Sequence, residues 1–324
     1  TVENTGLTEI IIELEEDDIM HDNRYYSAIF LKEKINILLV GERRDITYTS
    51  ASLATAANEH FNVSTLLPDR INSVNLNNYQ VVVLIAGGGN FETGRLRDYI
   101  SEGNSLILMP SANATLSSFN NICSNLGLPA GRNLVDVKNN SDSYFRFANI
   151  DLAHPIFADL FESDKNRDID SPEIYKYFKM ASSGQGNTII SLIDNSAFLT
   201  EYKSGNGKIL LYSSAPDLSW STFPLKGIFA ALMNKSVYYL NSARRINVTH
   251  LPGSAVPVNI GGEAVSQLGV IRPDNSQEFL TLDTLSGNYL SYKNTSDAGI
   301  YKFFSGDKLV DYQPVNINAV SYTH

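Results

Sequence analysis

The sequence predicts an α/β fold: a doubly wound parallel sheet with helices on both sides, preceded by a β-hairpin and followed by an antiparallel β domain. Three observations carry this. INILLVG, QVVVLIA and SLILMP are short runs apolar on both faces, as central parallel strands require. Helical patterns alternate with them, the rhythm of βαβ units with right-handed crossovers. Beyond Arg245, only apolar–polar alternation broken by Gly, Asn and Asp turns remains.

Composition bounds the rest. The chain has 324 residues, enough for two domains of roughly 150 each. Its 35 acidic side chains against 25 basic ones give a formal charge of -10, which builds no cationic surface and argues against a nucleic-acid partner. The single cysteine, Cys123, excludes an intrachain disulfide and a multi-thiolate metal site. No run approaches the roughly 20 apolar residues that cross a bilayer. The opening TVENTG has no initiator Met, basic region or apolar stretch, which points to a piece of a longer protein whose targeting or anchoring segments lie outside it.

In chain order, Ile10 to Leu14 and Tyr25 to Leu31 are β-prone runs flanking the polar loop EEDDIMHDN, so residues 1–34 read as a hairpin that must pack on something else. Residues 35–244 then form the α/β domain. Strands are expected at 35–41, 62–68 and 80–86, with a helix at 48–61. FETGRLRDYISEG is a helix closed by Gly103, SLILMP the next strand, and ATLSSFNNICSNLGLP the next helix. Residues 129–186 are less regular. AFLTEYKSGNGKILLYSSA reads as two strands joined across Ser204 to Gly207, and a long amphipathic helix over 224–243 ends the domain. Residues 245–324 are expected to form a β-sandwich-like domain.

The order of these pieces resembles the extracytoplasmic region of bacterial membrane proteins related to the aerotolerance (Bat) proteins. The residues that carry the likeness are DDIMHDNRYYSA, INILLVG, HPIFADLF, the EYKSGNGKILLYSSAPDLSWSTFPLKGIF block and GIYKFFSGDKLVDYQPVN. The resemblance implies an immunoglobulin-like domain, of which the N-terminal hairpin would be a remnant. It also implies a flavodoxin-like domain of the class I glutamine amidotransferase type, with transmembrane helices outside this chain. Glutaminases hold a nucleophilic Cys at an elbow after a central strand, where this chain has Pro110 and Ser111. Their catalytic His lies in a His-Pro-Glu motif, where this chain has Ala215-Pro216-Asp217. Both chemical members are missing, which implies a catalytically silent relative.

Site candidates follow from position. NSLILMPSANATL, residues 104–116, has the strand, sharp turn and helix start of a nucleophile elbow. A serine hydroxyl needs a base to act at neutral pH, and His154 and Asp217 are the candidates. The competing reading, favoured here, makes Ser111 or Asn113 the N-cap of a helix starting near Ala114. Gly87, Gly88, Gly89 and Asn90 lie at the carboxyl end of a central strand, where open sheets bind ligands. They match neither a dinucleotide nor a Walker pattern, and a tight turn is the better reading. His154 precedes Pro155 at a structural turn. Trp220, the single Trp, sits in a loop on the same rim, either plugging the domain's own cleft or presented for recognition. Cys123 reads as a small buried hydrophobe. His21 with Asp17, Asp18 and Asp22 reads as a solvated loop rather than a metal site.

These readings lead to a non-catalytic interaction or scaffolding module, an extracytoplasmic (periplasmic) part of a membrane-anchored bacterial protein. Its expected partners are other proteins of a membrane-associated complex, with membrane contact only through segments outside this chain, no cofactor and no metal. The alternatives are a hydrolase or amidotransferase using Ser111, and a small-ligand or glycan sensor at the GGGN rim.

Overall fold

The computed structural model describes residues 6–13, 24–31, 34–57, 60–87, 93–138, 143–157, 170–181, 185–243, 250–260, 267–281 and 289–317. The chain divides into two units, one formed by Lys34–Arg244 and the other assembled from Thr1–Glu33 together with Arg245–His324.

The second unit begins at the N-terminus, where β1 (Gly6–Glu13) and β2 (Arg24–Leu31) pair antiparallel from Gly6↔Leu31 to Glu13↔Arg24.

The α/β unit follows as β3 (Ile35–Val40), α1 (Thr47–Ala57), β4 (Phe61–Leu66), β5 (Val81–Ala86), α2 (Gly94–Ser101), β6 (Ser105–Pro110) and α3 (Leu116–Asn125). Next come β7 (Gly131–Asp136), β8 (Phe147–Ile150), β9 (Lys176–Met180), β10 (Gly186–Leu192), β11 (Ala197–Ser204), β12 (Gly207–Tyr212) and α4 (Gly227–Ala243). Every residue of β5 and β6 is buried, the mark of strands covered on both faces. One face packs Leu53 of α1 and Phe229, Met233 and Val237 of α4 against Ile37, Val83 and Ile107. The other packs Leu96 and Ile100 of α2 and Phe119 and Ile122 of α3 against Leu38, Leu84 and Leu108.

The sheet is larger than the parallel one expected and is mixed, as the turn expected across Ser204 to Gly207 requires. Its eight strands run β4-β3-β5-β6-β12-β11-β10-β8. The strands from β4 to β12 in this order are parallel. The remaining β11, β10 and β8 continue the sheet antiparallel, making it mixed. The reason is the short connection between β11 and β12, in which Ser204 pairs with Gly207 and Gly205 takes φ +59°. A two-residue turn can only return the chain beside itself. Residues 129–186, read as irregular, supply β7 to β9 and the start of β10, with β7 and β9 forming a separate pair.

The other unit resumes as β13 (Val256–Asn259), β14 (Gln267–Ile271), β15 (Gln277–Thr281), β16 (Tyr289–Tyr292), β17 (Gly299–Ser305) and β18 (Lys308–Val315). A β13-β16 pair and a β15-β14-β17-β18 sheet share one core of Val256, Val258, Leu268, Val270, Tyr292, Tyr301, Phe303 and Val315. The N-terminal hairpin belongs to this unit. The buried Asn316 side chain accepts from the Tyr26 N–H at 2.6 Å and donates to the Tyr26 carbonyl at 2.9 Å. Among the described residues, no helix is long and apolar enough to cross a membrane.

Candidate functional site

The strand order reverses at β3, with β4 on one side and β5 on the other. A crevice opens at the carboxyl ends of the strands at such a point. The loops that meet there follow β3 (residues 41–46), β5 (Gly87), β6 (residues 111–115) and β12 (residues 213–222).

Ser111 sits where the sequence places it, one residue past β6, and is buried. Its N–H donates to the Ala86 carbonyl at 3.0 Å, and its carbonyl accepts from Ala114 N–H at 3.0 Å, closing the sharp turn. Gly87 is required by the same close approach. Its φ is +154°, and a Cβ there would lie 2.3 Å from the Ala114 Cβ. The Ser118 hydroxyl donates to the Gly87 carbonyl, fastening the start of α3 to the end of β5.

The cap of α3 is Thr115 rather than Ser111 or Asn113. The Thr115 hydroxyl accepts from Ser118 N–H at 3.2 Å, and Ser118 Oγ accepts in return from Thr115 N–H at 3.1 Å. The helix begins at Leu116, so the two earlier residues stand too far outside it to reach its free amides. Asn113 is exposed on the turn.

The chemistry of this rim centres on Ala112. Its N–H donates to Asp45 Oδ1 at 3.0 Å, and its carbonyl accepts from Trp220 Nε1 at 2.9 Å. Asp217 Oδ1 accepts from the Ser219 N–H at 2.8 Å and the Ser219 hydroxyl at 2.5 Å. The second Asp217 oxygen lies 3.6 Å from the Arg44 Nε. Two loops therefore hold Ala112, one at its N–H and the other at its carbonyl, and Arg44 links those loops to each other. Burial pushes the Asp45 carboxyl above the usual range, with the neighbouring Asp217 adding to it against the Ala112 N–H and Arg44. Burial also acts upward on Asp217, but the Ser219 donors and Arg44 outweigh it and leave that carboxyl below its ordinary value.

Asp45 and Arg44 are the residues that the sequence did not reveal. The usable signal was their place, in the loop after the first parallel strand beside the point of strand reversal.

Trp220 is buried, with its ring edge-on to Phe178 at 5.3 Å. It plugs its own domain instead of facing a partner. Ala215, where the resemblance looks for an imidazole, is a buried methyl in the same core.

His154 belongs elsewhere. Its Nδ1 accepts from Ile156 N–H at 3.2 Å, so Nε2 carries the proton given to Glu201 Oε2 at 2.8 Å. Glu201 pairs with Leu210, and Leu210 with Ile107. That position precedes Ser111 by four residues, about 13 Å along a strand. His154 thus has both nitrogens engaged, away from the elbow. No described histidine or carboxylate accepts from the Ser111 hydroxyl. Cys123 is buried, and that burial pushes its thiol up to about 12, which leaves it unreactive. Among the described residues, no cluster of His, Cys, Asp or Glu is fit to hold a metal ion. Gly88, Gly89 and Asn90, and the loop holding Asp17, Asp18, His21 and Asp22, lie outside the described residues.

No family model matches the chain, and no curated protein does. Among solved structures it is similar to a cytoplasmic protein from Salmonella typhimurium, at 11% identity and TM-score 0.45 over 73% of this chain and 96% of that one. A cold-adapted β-galactosidase from Rahnella sp. R3 matches at 10% identity and TM-score 0.43, over 81% of this chain and 41% of that one. A glutamine amidotransferase from Thermotoga maritima matches at 8% identity and TM-score 0.37, over 65% of this chain and 95% of that one.

Proposed function

We propose that the chain is a non-catalytic interaction or scaffolding module, built on a flavodoxin-like sheet of the class I glutamine amidotransferase type, whose working surface is the carboxyl rim. The observation that carries this is the occupation of the Ala112 amide by Asp45. In elbow enzymes the N–H after the nucleophile receives the developing oxyanion. Here a carboxylate already accepts from it, so the amide is not open to an oxyanion while Asp45 holds it. The buried Ala215 and the engagement of His154 by Glu201 point the same way. The order of segments resembling Bat-related proteins supports an extracytoplasmic setting, as part of a membrane-anchored bacterial protein working with other proteins of a complex.

Glutaminase and aryl-ester hydrolysis assays on the wild type and Ser111→Ala test this. Neither protein should turn over substrate above buffer. A measurable rate that disappears in Ser111→Ala would show a working nucleophile and end the proposal.

A further inference from the structure

The elbow turn is fixed several times over without Asp45. Ser111 N–H is held by Ala86 and Ala114 N–H by Ser111, Ala112 is gripped through its carbonyl by Trp220, and α3 carries its own capping box. A neutral acceptor would satisfy the remaining Ala112 N–H at lower cost than a buried carboxylate. Yet the position is held by a buried charge, with a second carboxylate, Asp217, close enough to raise it further. Arg44 stands beside both with its side chain 65% exposed and its contact to Asp217 at 3.6 Å, while Asp217 is already satisfied by Ser219. The place has what a carboxylate site needs: a fixed backbone donor at the carboxyl rim, a mostly exposed guanidinium beside it, and the indole of Trp220 fixed on the carbonyl of the same residue.

We propose that the Ala112 amide and Arg44 form a carboxylate-binding site, and that Asp45 is its internal occupant, holding the rim shut until a carboxylate from outside takes its place. The proposal rests on the rim being the working surface, as argued above. It makes Asp45 a self-ligand, and the loop carrying it the element that yields on binding.

The test is chemical rescue of the full chain. Asp45→Ala vacates the amide without filling it, and Asp45→Asn keeps a neutral acceptor in place. Sodium acetate is the probe, sodium chloride at equal ionic strength the control. Acetate should raise the Tm of Asp45→Ala by about 2–4 °C over chloride, and move the Tm of the wild type and Asp45→Asn much less. Trp220 is the single indole of the chain. Its ¹⁵N–¹H resonance should shift saturably with acetate in Asp45→Ala, returning toward the wild-type position. A variant that folds in acetate but not in chloride supports the site equally. Equal behaviour in the two salts overturns it, as does failure to fold in either. A blocked peptide with one Asp, run beside acetate, separates the sources: stronger rescue per mole by the peptide assigns the site to a protein side chain, weaker rescue to a free acid. The rescue reads occupancy of an amide and not turnover, so a rate lost in Ser111→Ala would sink the non-catalytic reading without touching this result.

Discussion

Glu201 gathers His154, Tyr239 and Lys208 around one carboxylate, its side chain 11% exposed. Burial acts to raise its pKa, but the three donors outweigh it and hold the group at about 2, against an ordinary 4.5. A depressed folded-state value means that the proton prefers the unfolded chain, so the stabilisation is present above about pH 4.5 and is lost as pH falls toward about 2. Glu201→Gln should lower stability at pH 7 by on the order of 2–3 kcal/mol and flatten the acid limb of the stability curve across that window. Urea denaturation at a series of pH values reads both effects. The same network shows where residue type misleads in a sequence. His154 has the chemistry of a general base, yet only the fold reveals which end of the sheet it occupies. Ser111, Asp217 and Trp220 were legible because each follows a recognisable strand. Asp45 was not, because nothing local marks a loop aspartate as the acceptor for an amide 67 positions away.

At the scale of elements, α3 depends on a cap that the sequence misplaced by a few residues. Thr115→Ala should destabilise the α/β unit by about 1 kcal/mol, while Asn113→Ala, exposed on the turn, should fall within about 0.5 kcal/mol of wild type. Thermal denaturation of the pair would distinguish them, and the reverse order would restore Asn113 as the cap. The central strands β3, β5, β6 and β12 were legible because burial on both faces leaves a continuous apolar run. The extension through β10 and β8 was not. β8 is four residues long and carries no buried position, and its pairing with β10 is interrupted by a register shift between Ser191 and Leu192. Such a strand is defined by its neighbour's free edge more than by its own composition.

For the whole molecule, the decisive feature is that one unit is made from both ends of the chain with the other inserted between them. Asn316→Ala removes the side chain that bonds both backbone groups of Tyr26, leaving them without their partner. It should speed amide exchange along β2 and lower the stability of that unit by about 1–3 kcal/mol, leaving exchange in β5 and β6 unchanged. Equal acceleration in both units would show that they unfold together. The alternating texture after Arg245 was legible as a β domain, whereas its closure onto the first strands depends on a contact across 290 residues that no local pattern carries. That distance has a consequence for the newborn chain. At about 5–20 residues per second, Tyr26 is synthesised roughly 15 to 60 s before Asn316. During that interval β1 and β2 are a lone hairpin without the packing that β17 and β18 give β2. Residues 34–244 are complete well before the end and are free to fold first. There is therefore a window in which β1 and β2 lack the strands of their own unit. A circular permutant that synthesises residues 245–317 before residues 6–31 would close that window.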